Sequence, residues 1–307
     1  YPLLTRMFRE LGVESQPTIM SFAVKNEMSG LEYNATNLNR LFCQRRNLLR
    51  PRFWGMVRDI LRFYREAPAL LADPGPGPTI GDYLYRGGYG ALFIDDHLLP
   101  MASALWSSPT ATVMDFPAKY LVQFMANHRM LDPGTRQPWS VVKGGSSRYL
   151  DKLVPAIRGE FRRGAAVRRV ERYADEVRVH SDGDVSRFDQ IVFACHSDQA
   201  LALLADASVA EREVLGAIPF QRNDTVLHTD ASLLPRNRQA WAAWNALRLK
   251  PDPRHPNAAA CTVSYSMNLL QSLPTQTPYI VTLNATQRID PARILARMDY
   301  AHPVYTH

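Results

Sequence analysis

AAVRRVERYADEVRVHSDGDVSRFDQIVFACHSDQALALLA, residues 165–205, is the stretch whose reading decides the fold. Val167, Val170, Val177 and Val179 sit in short runs where apolar and charged residues largely alternate, broken at Ala174-Asp175. Alternation of period two predicts a half-buried hairpin, and Val185–Phe188 extends it by one strand. The run Ile191-Val192-Phe193-Ala194 is too short for a helix and predicts a buried strand. It empties into Cys195-His196-Ser197-Asp198 and a helical run, Gln199–Leu204. A strand ending in small residues before a helix is where open α/β sheets place ligands. The usual phosphate-cradling glycine fingerprint, however, occurs nowhere in the 307 residues.

Outward from that stretch the local signals are clear. Leu3 to Leu11 predicts a short helix stopped by Gly12. Met20–Lys25 and Leu31–Tyr33 predict a hairpin around Met28-Ser29-Gly30. Pro51 suits a first helical position, and Phe53, Val57, Ile60, Tyr64, Ala67 and Leu71 form one apolar stripe, so a helix is expected over 51–71. Asp73-Pro-Gly-Pro-Gly-Pro78 forbids regular structure. Helices are expected at Ile80–Arg86, Ala91–Leu98 and Thr112–Asn127, the last kinked near Pro117. Trp139–Val142 reads as a strand, Gly144-Gly145 as a tight turn, and Ser146–Ile157 as a helix. Strands are expected at Thr225–His228, Cys261–Tyr265 and Tyr279–Leu283.

The composition, with 46% apolar residues, supplies a sizeable core, enough for two domains or one large one. The net charge of +7 comes from 31 Arg against five Lys. That balance suits acidic partners, but it suits a basic soluble enzyme equally well. No helix-turn-helix, zinc or RNA-binding signature accompanies the charge, so no nucleic-acid partner is expected. Cys43, Cys195 and Cys261 are too sparse for a disulfide framework and predict a reducing, cytoplasmic setting. No apolar run approaches the length needed to span a bilayer. The chain opens at Tyr1-Pro2-Leu3 without Met or a signal pattern, and both ends read as cut.

Candidate chemistry is thin. Asp95-Asp96-His97 would need to converge on one ion, yet adjacent helical residues point about 100° apart, so a hydrogen-bonded role is expected. Cys195-His196 are sequence neighbours, which nucleophile and base seldom are. Ser140-Val-Val-Lys143 matches a minimal acyl-transfer pattern but lies in a strand pattern without companion motifs, leaving Lys143 a remote catalytic candidate. The 51–71 helix carries Arg52, Arg58, Arg62 and Arg65 beside Phe53, Trp54, Phe63 and Tyr64, a pattern compatible with an anionic membrane surface. Core packing of an ordinary surface helix produces the same pattern, and the narrow stripe favours that reading.

Taken together, Tyr1-Pro-Leu-Leu4, Met20-Ser-Phe22, Gly30-Leu-Glu-Tyr33, Arg45-Arg-Asn-Leu-Leu-Arg-Pro-Arg-Phe-Trp54, Asp95-Asp-His-Leu-Leu-Pro100, Trp106-Ser107, Gly144-Gly-Ser146, Val226-Leu-His-Thr-Asp230, Trp241-Ala-Ala-Trp-Asn245 and His302-Pro303 resemble the flavin-dependent amine-oxidase superfamily. Within it the chain is most similar to bacterial FAD/NAD-binding amine-oxidase-like oxidoreductases. The resemblance implies an α/β, two-domain FAD-dependent fold with a mixed α+β substrate domain. Residues 1–13, 139–215 and 301–307 would form a partial FAD-binding domain, and residues 14–138 and 216–300 the substrate domain. It also implies that Val167 contacts the adenine through its backbone, that Ala194 and Cys195 lie beside the FAD, and that Gly144 and Gly145 lie near the flavin and the substrate entrance. The family's N-terminal strand, glycine turn and helix and its C-terminal flavin-contacting segment have no counterpart here. The expectation is therefore a central, truncated portion of a longer enzyme that binds FAD weakly or not at all and is inactive alone. The implied substrate is a hydrophobic amine or an acyl-chain lipid, with peripheral membrane contact an added expectation. A non-catalytic lipid- or membrane-surface-binding module on the same scaffold is the rival reading.

Overall fold

The computed structural model describes residues 1–106, 113–132, 134, 138–250 and 261–304. Ser107 and Thr112, from the sequence patterns above, lie outside the described residues. Twelve strands are described: β1 (Ser15–Thr18), β2 (Phe22–Asn26), β3 (Glu32–Asn34), β4 (Trp139–Val142), β5 (Val167–Arg172), β6 (Val177–Ser181), β7 (Asp184–Phe188), β8 (Phe220–His228), β9 (Trp244–Arg248), β10 (Cys261–Ser266), β11 (Ile280–Leu283) and β12 (Ile294–Pro303). The chain divides into two compact units, Tyr1–Val154 with Arg222–His302, and Pro155–Gln221.

The first unit is built on a seven-stranded sheet in the order β12-β8-β11-β10-β9-β2-β3. β2 pairs with β3 through the expected hairpin, whose turn is fixed locally. Asn26 Oδ1 accepts the Met28 and Ser29 amides at 2.8 and 3.2 Å, and Gly30 takes the left-handed φ of 65° that closes the turn. On its other side β2 pairs in parallel with β9, a partner more than 200 residues later. Parallel strands need a long connection, and here everything from residue 27 to residue 243 supplies it.

Helices pack on this sheet. The Pro51–Glu66 helix starts with proline at its first turn and buries Phe53, Met56, Asp59 and Phe63. Val57, Ile60 and Tyr64 are only half-buried, so the inward line runs one position before the apolar stripe read from the sequence. The reason is Asp59: its carboxylate accepts the Gly90 amide at 2.9 Å and turns that face of the helix toward residues 90–93. From Ala67 the helix tightens to a 3-10 turn, Ala67–Ala72, because Pro68 has no amide to continue the α pattern.

The helix expected over Ala91–Leu98 does not stop there. Ala91–Phe93 passes into a π turn, Ile94–Leu98, and then into an α-helix, Leu99–Trp106. Pro100 explains the widening. It cannot bond to the carbonyl four residues back, that of Asp96, and its ring would clash there. The wider turn relieves the clash, and the Tyr33 hydroxyl donates to the freed Asp96 carbonyl at 2.7 Å.

The second unit holds the expected ribbon as a three-stranded antiparallel sheet, β5-β6-β7. Val170 is fully buried beneath it, with Val177, Ala200 and Ala207. The run Ile191–Ala194 is a correction to the sequence reading, because it forms no strand. Val192 is 88% exposed, and no strand among the described residues pairs with the run. Four apolar residues set an extended preference, but a strand exists only with a ladder partner. Instead, the chain leaving the Ser197–Leu203 helix lies along β5, with Leu204 bridging Val170 in parallel and the Ala205 amide bonding the Val170 carbonyl at 2.9 Å.

Candidate functional site

The residues singled out by resemblance fall in both units. Gly144 and Gly145 belong to the first unit, where they follow β4. β1 and β4 make a two-stranded antiparallel ribbon, anchored by Thr18 Oγ1 donating to the Leu270 carbonyl at 2.7 Å and Gln16 Nε2 to the Gln271 carbonyl at 2.9 Å. The ribbon ends in the two glycines at φ 79° and 97°, both in the region that side chains disfavour. A Cβ on Gly144 would stand 3.3 Å from Arg148 Nε, whereas one on Gly145 would meet nothing within 4 Å. The Gly145 side of this turn is thus open backbone, whereas Gly144 is backed by Arg148. Lys143, just before the turn, pairs with Glu14 at 2.7 Å across exposed surface, which raises its ammonium pKa. A fully protonated, ion-paired lysine is no base, so the acyl-transfer role has no support.

Val167, Ala194 and Cys195 belong to the second unit. Val167 opens β5 at a bulge, where the register with β6 shifts between Val167 and Arg169, and it is 39% exposed. Ala194 and Cys195 are exposed at the end of the unpaired run, and Cys195 is a free thiol. His196 follows, stacked on Phe220 with ring centroids 4.5 Å apart. The arginines of the ribbon are matched by acids: Arg168 with Asp182, Arg172 with Asp206 and Glu211, and Arg178 with Glu176. Bidentate pairing to Arg172 holds the Glu211 carboxyl down to about 2. Arg158, Arg163 and Arg212 are exposed elsewhere in this unit, while at the end of the unpaired run Ala194 and Cys195 leave backbone and small side chains open. That fits the adenine end of a dinucleotide, which is recognised by backbone and apolar contact, while the described residues hold no glycine-rich turn for its diphosphate.

Asp95-Asp96-His97 behaves as the geometry of adjacent helical residues requires. Among the described residues no cluster of three metal-ligating side chains exists. Asp96, buried, accepts Asn26 Nδ2 at 2.6 Å and Arg248 NH1 at 3.1 Å. The buried Tyr33 hydroxyl has one proton, already given to the Asp96 carbonyl, so its oxygen accepts from His97 Nδ1–H at 2.9 Å. The assignment leaves Nε2 as an unprotonated acceptor, and that atom has no partner. Burial lowers the His97 pKa to about 4. Sequence reading expected hydrogen bonding here but missed this network of Asn26, Tyr33 and Arg248. Its only local signal is Pro100, four residues after Asp96.

A pH dependence follows from His97. Unfolded, the imidazole titrates near its ordinary value of 6.5, and folded near 4. The unfolded chain thus binds more protons between those values, and stability falls as pH drops through that window, by on the order of 3 kcal/mol for this group. Urea unfolding at neutral pH and near pH 4.5 is expected to show a smaller acid loss for His97→Gln than for the parent. Equal losses in the two proteins would contradict the buried neutral imidazole.

The model of the family described as flavin containing amine oxidoreductase matches residues 1–226. No curated protein sequence matches the chain. Among solved structures, the fold is similar to cyclohexylamine oxidase from Brevibacterium oxydans IH-35A, at TM-score 0.61 and 13% identity, over 97% of this chain and 70% of that one. It is similar to a fatty acid isomerase from P. acnes that produces CLA, at TM-score 0.59 and 14% identity, over 99% and 72%. Wild-type putrescine oxidase bound to putrescine aligns at TM-score 0.57 and 11% identity, over 92% and 61%. The chain thus spans between 61% and 72% of the length of these three structures. Among the described residues no helix is long and apolar enough to cross a membrane.

Proposed function

Because this chain belongs to the flavin-containing amine oxidoreductases, a family of flavin-dependent oxidoreductases, we propose that it serves an enzyme that oxidises a hydrophobic amine or an acyl-chain lipid by hydride transfer to FAD. The carrying observation is that the family match runs through residue 226, across the β1–β4 ribbon with its glycine turn and across the β5–β7 ribbon. The flavin, when bound, supplies the hydride acceptor.

The chain's own contribution is binding and positioning. The Val167 backbone, at the bulged and exposed start of β5, would meet the adenine edge. Ala194 and Cys195, small and exposed, allow close approach beside it. Gly144 and Gly145 would present bare backbone to the flavin and the substrate entrance. The seven-stranded unit would hold the apolar part of the substrate and exclude water. This division of labour asks no acid–base chemistry of the glycine turn, where Glu14 raises the pKa of Lys143.

The test uses the product of the gene's full reading frame, loaded with FAD and kept anaerobic. Bleaching of the flavin by a panel of hydrophobic amines, and not by unsaturated fatty acids, supports the amine oxidase reading; the reverse supports acyl-chain chemistry. No bleaching by either class, in a protein that holds FAD, would defeat the proposal and leave the non-catalytic module.

A further inference from the structure

The Pro51–Glu66 helix and the residues leading into it carry a surface that core packing does not explain. Phe53, Met56 and Phe63 face inward, but Trp54 is 47% exposed and Leu49, just before the helix, is 87% exposed. Leu48 is 46% exposed and is joined to Trp54, whose indole N–H donates to the Leu48 carbonyl at 2.9 Å. Further along the helix, Arg58 and Leu61 continue the outward ridge at spacings of four and three from Trp54. An isolated exposed leucine is ordinary, but a linked leucine–leucine–tryptophan tip is an apolar patch wanting a partner.

The charge around the tip names that partner. Between Leu38 and Arg58 there are six arginines and not one acidic residue. Among the described residues, Arg45 and Arg46 bond neutral oxygens of residues 30, 39 and 42. The acid pairing Arg58 among the described residues is the buried Asp59, at 3.7 Å. A nearly pure positive field beside exposed leucine and tryptophan suits a surface that offers phosphate above hydrocarbon. Nucleic acid would use the arginines but leave Leu49 in water. A second copy docking through the same face would bring six arginines against six.

We propose that this face seats the first unit on an anionic lipid bilayer, with Leu48, Leu49 and Trp54 entering the headgroup region while Arg50, Arg52 and Arg58 meet lipid phosphates. The contact is peripheral and reversible, and it does not depend on whether the protein is catalytic. It would place the unit where acyl-chain or other membrane-borne substrates are concentrated.

Sedimentation of the 307-residue chain with phosphatidylcholine vesicles, with and without phosphatidylglycerol, tests this. Binding is expected only to the anionic vesicles. It should fall steeply between about 0.1 M and 1 M salt, where the screening length drops from about 10 Å to 3 Å. Arg50→Glu with Arg52→Glu should weaken it more than about tenfold, given the contribution of each charge at such a surface. Leu49→Ser should weaken it without changing the salt dependence. Quenching by brominated lipid should drop in Trp54→Phe. These positions are exposed, so unchanged circular dichroism separates loss of binding from loss of fold. Equal binding to neutral vesicles, indifference to the paired arginine change, tighter binding to duplex DNA at the same salt, or a dimer abolished by Leu49→Ser would each overturn the proposal.

Discussion

Arg248→Met is expected to destabilise the first unit by about 3 kcal/mol, far more than a methionine at a strand end would otherwise cost. Arg248 closes β9 and reaches the carboxylate of Asp96 at 3.1 Å; it also stands 3.8 Å from Asp95. Asp96 is 3% exposed, so water cannot take over when the guanidinium is gone. Asn26 Nδ2, at 2.6 Å, remains as one donor, which places the loss at the lower end for a broken buried pair. The penalty belongs to the stranded charge rather than to the lost contact. Asp96→Asn in the same chain should therefore recover most of it, giving a coupling energy of about 1.5 kcal/mol or more across the double-mutant cycle. All five tryptophans lie in the first unit, so tryptophan fluorescence during urea unfolding reports on that unit alone. A single-variant loss below about 1 kcal/mol would show that the carboxylate reaches solvent once the guanidinium is gone.

Much of this fold was legible because its signals are local. The helix Pro2–Leu11 ends at Gly12 in the left-handed conformation, and Ile80–Arg86 begins behind Thr79, whose side chain accepts the Asp82 amide. The β2–β3 hairpin and the β5–β7 ribbon follow from period two and from turn residues a few positions apart. What failed depends on partners distant in sequence. Ile191–Ala194 carries a strand-like composition but lacks a neighbouring ladder. β9 and β12 escaped notice because Trp244–Arg248 and Ile294–Pro303 show no clean alternation, and β9 is ordered by β2 and β10 from remote parts of the chain. The helix beyond Leu98 was not expected; a widened turn and the Tyr33 hydroxyl accommodate Pro100 within it. The positions proposed to face the cofactor rest on resemblance alone. Nothing in the local pattern around Val167 or Gly145 distinguishes a ligand contact from an ordinary bulge or turn.

Phe63→Ala is expected to cost more than Phe93→Ala, although both rings are buried and the chemistry removed is identical. Large-to-small changes at such sites cost about 3–5 kcal/mol, with the spread set by what fills the space left behind. Phe63 touches Tyr83, Tyr89 and Phe93, with centroid separations of 6.0, 6.0 and 5.8 Å. The space there is walled by the rings of Tyr83, Tyr89 and Phe93, so the penalty stays toward the upper end of that range. Phe93 also touches Tyr89, at 5.1 Å, but its other face stacks on His97 at 5.9 Å. Nε2 of His97 is a buried acceptor with no partner among the described residues. A water entering the space vacated by Phe93 could donate to that nitrogen, repairing an existing deficit and bringing the loss toward about 3 kcal/mol. The same water would stabilise imidazolium, so Phe93→Ala should raise the His97 pKa above 4 and flatten the acid loss, whereas Phe63→Ala should leave it unchanged. Equal losses for the two variants, with identical pH profiles, would mean that Nε2 is already satisfied in solution.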